Sequence, residues 1–102
     1  MSAGYVGILS AEFHFPESGS LKEKRKEIKS VRTQLSQKFC VAVAEVDHHE
    51  LWQRSQLTVS CVGRTYNDTL ERISSVENFL LRRSFEVFIT RRDVGKVDDW
   101  PS

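Results

Sequence analysis

The sequence predicts a single α+β domain in which two helices cover one face of a four-stranded antiparallel sheet. Three observations support this fold class. The length of 102 residues suits one domain, four segments have the alternation or β-branched composition of strands, and two segments repeat apolar residues at helical spacing. The elements follow one another as strand, helix, strand, strand, helix, strand. This order is typical of the split βαβ arrangement of ferredoxin-like folds.

The first half of the chain contains a strand, a helix and a second strand. Residues 5–15 alternate between apolar and polar side chains, which predicts the first strand. Ser20 and Glu23 have the spacing of a capping box, so we expect Ser20 to be the N-cap of a helix that runs to about residue 38. Residues 39–46 are rich in valine and alanine, and their place between a helix and a polar turn predicts the second strand.

The second half contains a third strand, a second helix and a fourth strand. Residues 56–62 predict a third strand, which forms a hairpin with the second, and Trp52 is expected to close that end of the core. A second amphipathic helix begins around residues 65–68 and ends near Arg83, and residues 85–90 alternate as a fourth strand. With right-handed crossovers, the first and third strands should be central and the second and fourth should be the edges.

The domain is expected to occupy residues 1–92. Residues 93–102 contain one proline, one glycine and three acids without a regular pattern, so we expect a loosely ordered C-terminal tail there. No leader-like pattern and no apolar stretch of about 18 residues is visible, which argues against secretion and membrane insertion. The expected location is therefore the cytoplasm.

The first helix carries most of the information about function. The formal net charge is only +1, yet six of the fifteen basic residues lie between Lys22 and Arg32, opposed there by Glu23 and Glu27 alone. Cations on one rigid helix face neutralise successive phosphates, so RNA is the natural partner. The alternative is a solvated face in which the two glutamates pair with neighbouring cations. The candidate RNA-binding residues are Lys22, Lys24, Arg25, Lys26, Lys29 and Arg32.

Two stretches resemble the signature of the YlxP-like family of bacterial proteins. They are residues 20–25, with the sequence SLKEKR, and residues 43–54, in which VAEVDH runs into LWQR. The resemblance covers most of residues 4–90 and implies a ferredoxin-like domain of unassigned activity. In several bacteria, genes of this family lie beside those of translation initiation factor two and a ribosome-binding factor. The resemblance thus implies a role near the ribosome, without assigning a role to any residue.

A polar cluster, Asp47-His48-His49-Glu50, has side chains that suit metal binding or acid–base chemistry. Adjacent residues of an extended chain point to opposite faces, so the two histidines reach one ion only through a sharp turn, and His14 is the one distant candidate ligand. The chain also lacks a matching nucleophile, phosphate loop or oxyanion loop. We therefore expect a hydrogen-bonded turn next to Trp52, with no metal, no cofactor and no enzymatic activity.

Cys40 and Cys61 stand at symmetric distances from the middle of the predicted hairpin. A redox pair across the hairpin is one interpretation, but a bulge of one residue would place the thiols on opposite faces. Reduced, packed thiols are the favoured interpretation.

Two classes of function remain. One is a binding protein that docks RNA or a ribosomal particle through the first helix. The other is a homodimeric protein-interaction or small-ligand regulatory domain that uses the open sheet face, where Val6, Ile8 and Phe88 would form an apolar patch. An RNA recognition motif would need aromatic residues on the third strand, and residues 56–62 contain none. RNA binding would therefore rest on helix charge and tolerate many sequences.

Overall fold

The computed structural model describes residues 2–16, 19–48, 50–83 and 85–100. The elements are β1 (Tyr5–His14), α1 (Leu21–Phe39), β2 (Ala42–Asp47), β3 (Arg54–Gly63), α2 (Tyr66–Leu81) and β4 (Glu86–Lys96), followed by a short 3-10 turn at Val97–Asp99. The four strands form one antiparallel sheet in the order β2-β3-β1-β4. The α+β ferredoxin-like fold and the predicted edge strands are therefore confirmed.

Both helices begin at side-chain caps. The Ser20 hydroxyl accepts a hydrogen bond from the Glu23 amide at 3.1 Å, and Thr65 caps α2 in the same way by accepting from the Asp68 amide. The Glu23 carboxylate reaches back to the Gly19 amide at 2.8 Å, one residue before the position that a standard capping box uses. Ser20 is thus the N-cap, as its spacing predicted.

The core lies between the sheet and the two helices. Alternate residues of β1 and β3 face inward and are fully buried, and they meet the apolar rows of α1 and α2. Helix α2 packs so closely on β1 that a Cβ atom at Gly7 would lie 2.6 Å from the Ile73 side chain. Among the described residues, neither helix combines the length and apolar character that a span across a membrane requires.

The end of the chain differs from the prediction. Strand β4 runs to Lys96, where it pairs with Tyr5 of β1, and Val97 donates to the Gly4 carbonyl at 2.9 Å. A β-bulge next to Ser10 leaves Thr90 without a partner residue on β1, which shifts the alternation beyond it. The loosely ordered tail is therefore wrong for residues 93–99, because the bulge and the charged residues that follow it disguise the second half of an edge strand. Pro101 and Ser102 lie outside the described residues.

The connection from α1 to β2 also differs. Phe39 belongs to the last turn of α1, and Cys40 ends the helix in the left-handed conformation with φ 55°, so β2 begins only at Ala42. A residue of this kind after a helix satisfies the last carbonyls, and its amide donates to Ser36. The end of α1 was not evident from the sequence, because Cys40 occupies the left-handed position at which glycine is usual.

Candidate nucleic-acid interface

Helix α1 displays a row of exposed cations, which we name the basic stripe. Each member has another member three or four positions away and therefore adjoins it on the helix surface. Within the part of the chain that the structure describes, no ion pair is seen at any of these five side chains. The basic stripe consists of Lys22, Arg25, Lys26, Lys29 and Arg32.

The sixth predicted cation, Lys24, lies elsewhere. Its side chain is fully buried, and its ammonium group lies 2.9 Å from the Glu45 carboxylate and donates to the His48 carbonyl at 2.7 Å. The Ser55 hydroxyl donates to the same carboxylate at 2.5 Å. The prediction that Lys24 belongs to an RNA-facing surface is therefore wrong, since this lysine ties α1 to β2 and β3.

The position of Lys24 could have been recognised from spacing. It lies four positions before Ile28 and seven before Val31, within the apolar row of α1 that faces the sheet. A lysine in that row needs a buried anion, and Glu45 is the acid that the inward face of β2 offers. Net charge alone did not distinguish it from its exposed neighbours.

The two acids of α1 do not neutralise the stripe. Glu23 and Glu27 are exposed, and of the five cations only Lys26 lies three or four positions from either of them. The Glu23 carboxylate is engaged by the Gly19 amide instead. The structure thus segregates the acids from the cations on this helix, which weakens the solvated-face alternative.

A groove separates the basic stripe from the edge strand β2. Its volume is about 610 Å³, and three cations of the stripe line the helix side, while Val43 and Glu45 line the strand side. Thr33, Ser36 and Gln37 continue the helix wall with uncharged donors. An extended anionic chain would find cations, hydroxyls and an apolar floor along this groove.

The hairpin between β2 and β3 joins the groove at its Glu45 end. His48 has φ 60°, a conformation that non-glycine residues rarely adopt, and its carbonyl accepts from both the Lys24 side chain and the Leu51 amide. Trp52 is 52% exposed, so the prediction that it closes the core is wrong. The bond from buried Lys24 to the His48 carbonyl connects this turn to α1.

The predicted polar cluster at 47–50 is only partly observable, since His49 lies outside the described residues. Asp47 accepts a hydrogen bond from the His48 amide at 2.7 Å, which fits the predicted hydrogen-bonded turn. Among the residues that the structure does describe, no group of three or more ligand side chains is arranged to hold a metal ion.

The open sheet face carries a second polar cluster, around Glu12 of β1. Arg54 donates to this carboxylate through Nε at 2.9 Å, His14 Nε2 lies 3.3 Å from it and His48 Nε2 lies 3.9 Å from it. The hydrogen bond from Arg54 is the main cause that lowers the pKa of Glu12, with partial burial acting in the opposite direction. A carboxylate held ionised in this way is a poor proton acceptor.

The apolar patch expected on this face is not continuous among the described residues. Val6 and Ile8 are half-buried at one end of β1, whereas Phe88, 51% exposed, lies opposite Glu12 near the other end and contacts the His14 ring. Ser10 lies between them and shares a hydrogen bond with Thr58. The predicted composition of the patch is therefore wrong, and the homodimer stays a prediction.

Three arginines, one just after α2 and two within β4, make contacts on different surfaces. Arg92 contacts Glu77 and Ser74 on α2, and Arg91 lies 3.7 Å from Asp93 on β4. Arg83 lies over the Phe79 ring and reaches Gln34 of α1 at 3.5 Å, so it contacts the flank of α1. None of these three extends the row of five cations.

Both cysteines are free thiols. Cys61 is buried in the core, where desolvation raises the pKa of its thiol. Cys40 is exposed at the end of α1, so the expectation of a packed thiol fails for it because this residue ends the helix outside the core. A redox pair across the hairpin is not formed.

The chain is similar in sequence to a protein family and to a bacterial protein. A family model described as a protein of unknown function, DUF503, matches residues 6–94. The uncharacterized protein YlxP of Bacillus subtilis (strain 168) is 29% identical over 75 residues, which are 74% of this chain and 82% of that protein. Neither description names a ligand or an activity.

Proposed function

We propose that this chain, which belongs to the DUF503 family as its resemblance to YlxP-like proteins predicted, is a non-enzymatic protein that binds RNA or a ribosomal particle through the basic stripe. This proposal rests on the surface of the chain itself. The groove beside β2 would hold part of the phosphate backbone. The hydrogen bond from Arg54 lowers the pKa of Glu12, so this carboxylate is a weaker general base than an unpaired one, which argues against an acid–base role for it.

The observation that carries this proposal is the arrangement of five exposed cations as mutual neighbours on one helix. Lys22 and Lys26, and likewise Arg25 and Lys29, are like charges four positions apart, a spacing that destabilises a helix by about 0.2–0.5 kcal/mol per pair. Three further pairs are three positions apart. A surface that served only solvation would gain stability from alternating charges, so this arrangement points to an anionic partner.

Binding of this kind has a recognisable dependence on salt. Each cation that neutralises a phosphate releases condensed counterions, so log affinity falls with log salt by about 0.7 units per phosphate for single strands and about 0.9 for duplexes. Contacts to phosphates carry no base information, and we therefore expect affinity for many RNA sequences.

The test is co-sedimentation with ribosomal particles and RNA filter binding at two salt concentrations. The triple variant Lys22→Glu, Lys26→Glu, Lys29→Glu should lose affinity and salt dependence while keeping its fold, since all three side chains are exposed. A matched variant, Arg64→Glu, Arg91→Glu, Lys96→Glu, changes the formal charge equally on exposed residues outside α1 and should bind like the parent.

Equal losses in both triple variants would show that net charge matters and the stripe does not. If the folded parent associates with neither RNA nor ribosomal particles at low salt, the proposal fails. A homodimeric or ligand-binding domain that uses the open sheet face would then become the leading alternative, with sedimentation as its first measurement.

A further inference from the structure

An exposed tryptophan lies in the hairpin between β2 and β3, which Lys24 joins to the first turns of α1. Trp52 is 52% exposed, the neighbouring Leu51 is 46% exposed, and among the described residues no ring contact involves Trp52. Tryptophan has the largest apolar surface of the side chains and usually buries most of it. Its exposure here leaves an aromatic face available to a ligand.

The hairpin that carries Trp52 is held at both ends. Before it, the His48 carbonyl is bound by the buried Lys24 ammonium at 2.7 Å and by the Leu51 amide at 3.1 Å. After it, the Gln53 carbonyl accepts from the Phe15 amide at 2.8 Å. These bonds connect the turn to α1 and to the end of β1, so the indole ring projects from a supported loop.

The same bonds relate Trp52 to the groove. Lys24 lies on the buried side of the first turns of α1, between Lys22 and Arg25 in sequence. Its partner Glu45 lines the strand side of the groove. From Glu45 the chain continues through His48 to Trp52. An anionic chain that follows the groove toward the start of α1 therefore reaches the hairpin next.

The other exposed aromatic residues lie in different surroundings. Phe88 contacts the His14 ring, and Tyr66 makes an edge contact with Tyr5 at 6.0 Å. Trp100 follows the turn in which Val97 is bonded to Gly4, at the start of β1, whereas Trp52 lies near the end of β1, where Phe15 is bonded to Gln53. The length of the strand separates the two tryptophans by roughly 30 Å. Among the exposed aromatic residues that the structure describes, Trp52 is thus the one whose loop is bonded to α1, the helix that forms one wall of the cationic groove.

We propose that Trp52 is a stacking platform for an unpaired RNA base, and that the protein therefore prefers single-stranded RNA to duplex RNA. This inference rests on the proposed function and specifies its ligand. Cations that follow the backbone together with an aromatic face for a base are the elements of sequence-tolerant single-strand binding. A duplex offers the stripe its phosphates but keeps its bases inside the stack.

The experiment uses the full chain, a single-stranded oligouridine, a blunt RNA duplex with the same number of phosphates, and inorganic polyphosphate as an anion without bases. Trp52→Ala should weaken oligouridine binding by about fivefold or more, the usual loss for one stacked base, and should leave polyphosphate binding unchanged. Trp52→Phe should keep much of the affinity because a phenyl ring also stacks. Trp100→Ala is the matched control and should bind like the parent.

Fluorescence supplies an independent readout, because the chain has two tryptophans. In Trp100→Phe only Trp52 emits, and oligouridine should quench it while polyphosphate should not. In Trp52→Phe only Trp100 emits, and its signal should stay constant.

The outcomes separate this inference from the proposal it rests on. If the basic stripe is required for binding but Trp52→Ala binds oligouridine normally, or the duplex binds as tightly as the single strand, the stacking platform is refuted and the proposed function stands. If Trp52→Ala lowers the affinity for polyphosphate and for oligouridine equally, Trp52 acts on the shape of the groove and the inference also fails. If the parent binds neither oligouridine, nor the RNA duplex, nor polyphosphate, both the stacking platform and the proposed function are refuted.

Discussion

Replacing Lys29 with glutamate should stabilise the fold and weaken RNA binding at the same time. Lys29 is exposed in the middle of α1, with Arg25 and Lys26 four and three positions before it and Arg32 three positions after it. None of these helix neighbours is acidic. The new carboxylate would therefore meet three cations where the lysine meets three like charges.

The magnitude follows from these three contacts. Each like-charge contact costs about 0.2–0.5 kcal/mol and each opposite pair stabilises by a similar amount, so the exchange gives roughly 1–3 kcal/mol as an upper range. Solvent screening of exposed pairs reduces this, and we expect a gain of about 1 kcal/mol at low ionic strength. For a domain of this size that gain raises Tm by about 4–8 °C. Lys29→Gln should give about half of the gain, because it removes repulsion without adding attraction.

Thermal unfolding at low and high salt measures the first effect, and the gain should shrink as salt screens the pairs. Filter binding measures the second, and the slope of log affinity against log salt should fall by roughly one phosphate contact. A variant that is no more stable than the parent at low salt would refute the inferred neighbour contacts. A more stable variant with unchanged RNA affinity would show that Lys29 does not face the ligand.

Further predictions concern contacts inside the fold. Lys24→Ala should destabilise by about 3 kcal/mol in denaturant titration, because it leaves the Glu45 carboxylate buried without its cation, and adding Glu45→Gln should recover part of the loss. Ser20→Ala should lower the free energy of unfolding by about 1 kcal/mol through the lost cap, and an unchanged midpoint would contradict that role. Since Glu12 has a lowered pKa in the folded state, its stabilisation is present above the unfolded pKa and is lost as pH falls through the folded value. The stability difference between the parent and Arg54→Gln should therefore be largest near neutral pH and shrink below about pH 4, and a difference independent of pH would exclude this linkage.

The fold was predictable because local signals agreed with one another. Apolar alternation, helical spacing and the Ser20 cap all indicated the same order of elements, and the crossover rule then placed the strands. The second half of β4 was missed because its register shifts at the bulge by Thr90, after which a charged run looks like a loop. Such a shift depends on pairing with β1, which is about 80 residues away and leaves no local mark.

The positive charge of the candidate site was predictable, but which of its cations are exposed and which one is buried was not. Six cations of α1 were predicted to face a ligand, and five of them are exposed, whereas Lys24 is buried in the apolar row and pairs with Glu45 at 2.9 Å. Trp52 was expected inside because large aromatic residues usually are, but it is 52% exposed in the hairpin. The Lys24–Glu45 ion pair and the bond from Lys24 to the His48 carbonyl join α1 to the strand and to the hairpin, and such long-range contacts leave no local mark in the sequence.

The pairing of β1 with β4 has a consequence for how the chain folds during synthesis. Tyr5 is made about ninety residues before its partner Lys96. The hairpin of β2 and β3 and both helices are complete long before then, while one side of β1 lacks a partner strand. Closing so long a loop is slow, so folding of this domain should be late and dominated by a non-local step. A nascent chain stopped before β4 would present the bare edge of β1, an apolar strand ready to pair with any neighbouring chain.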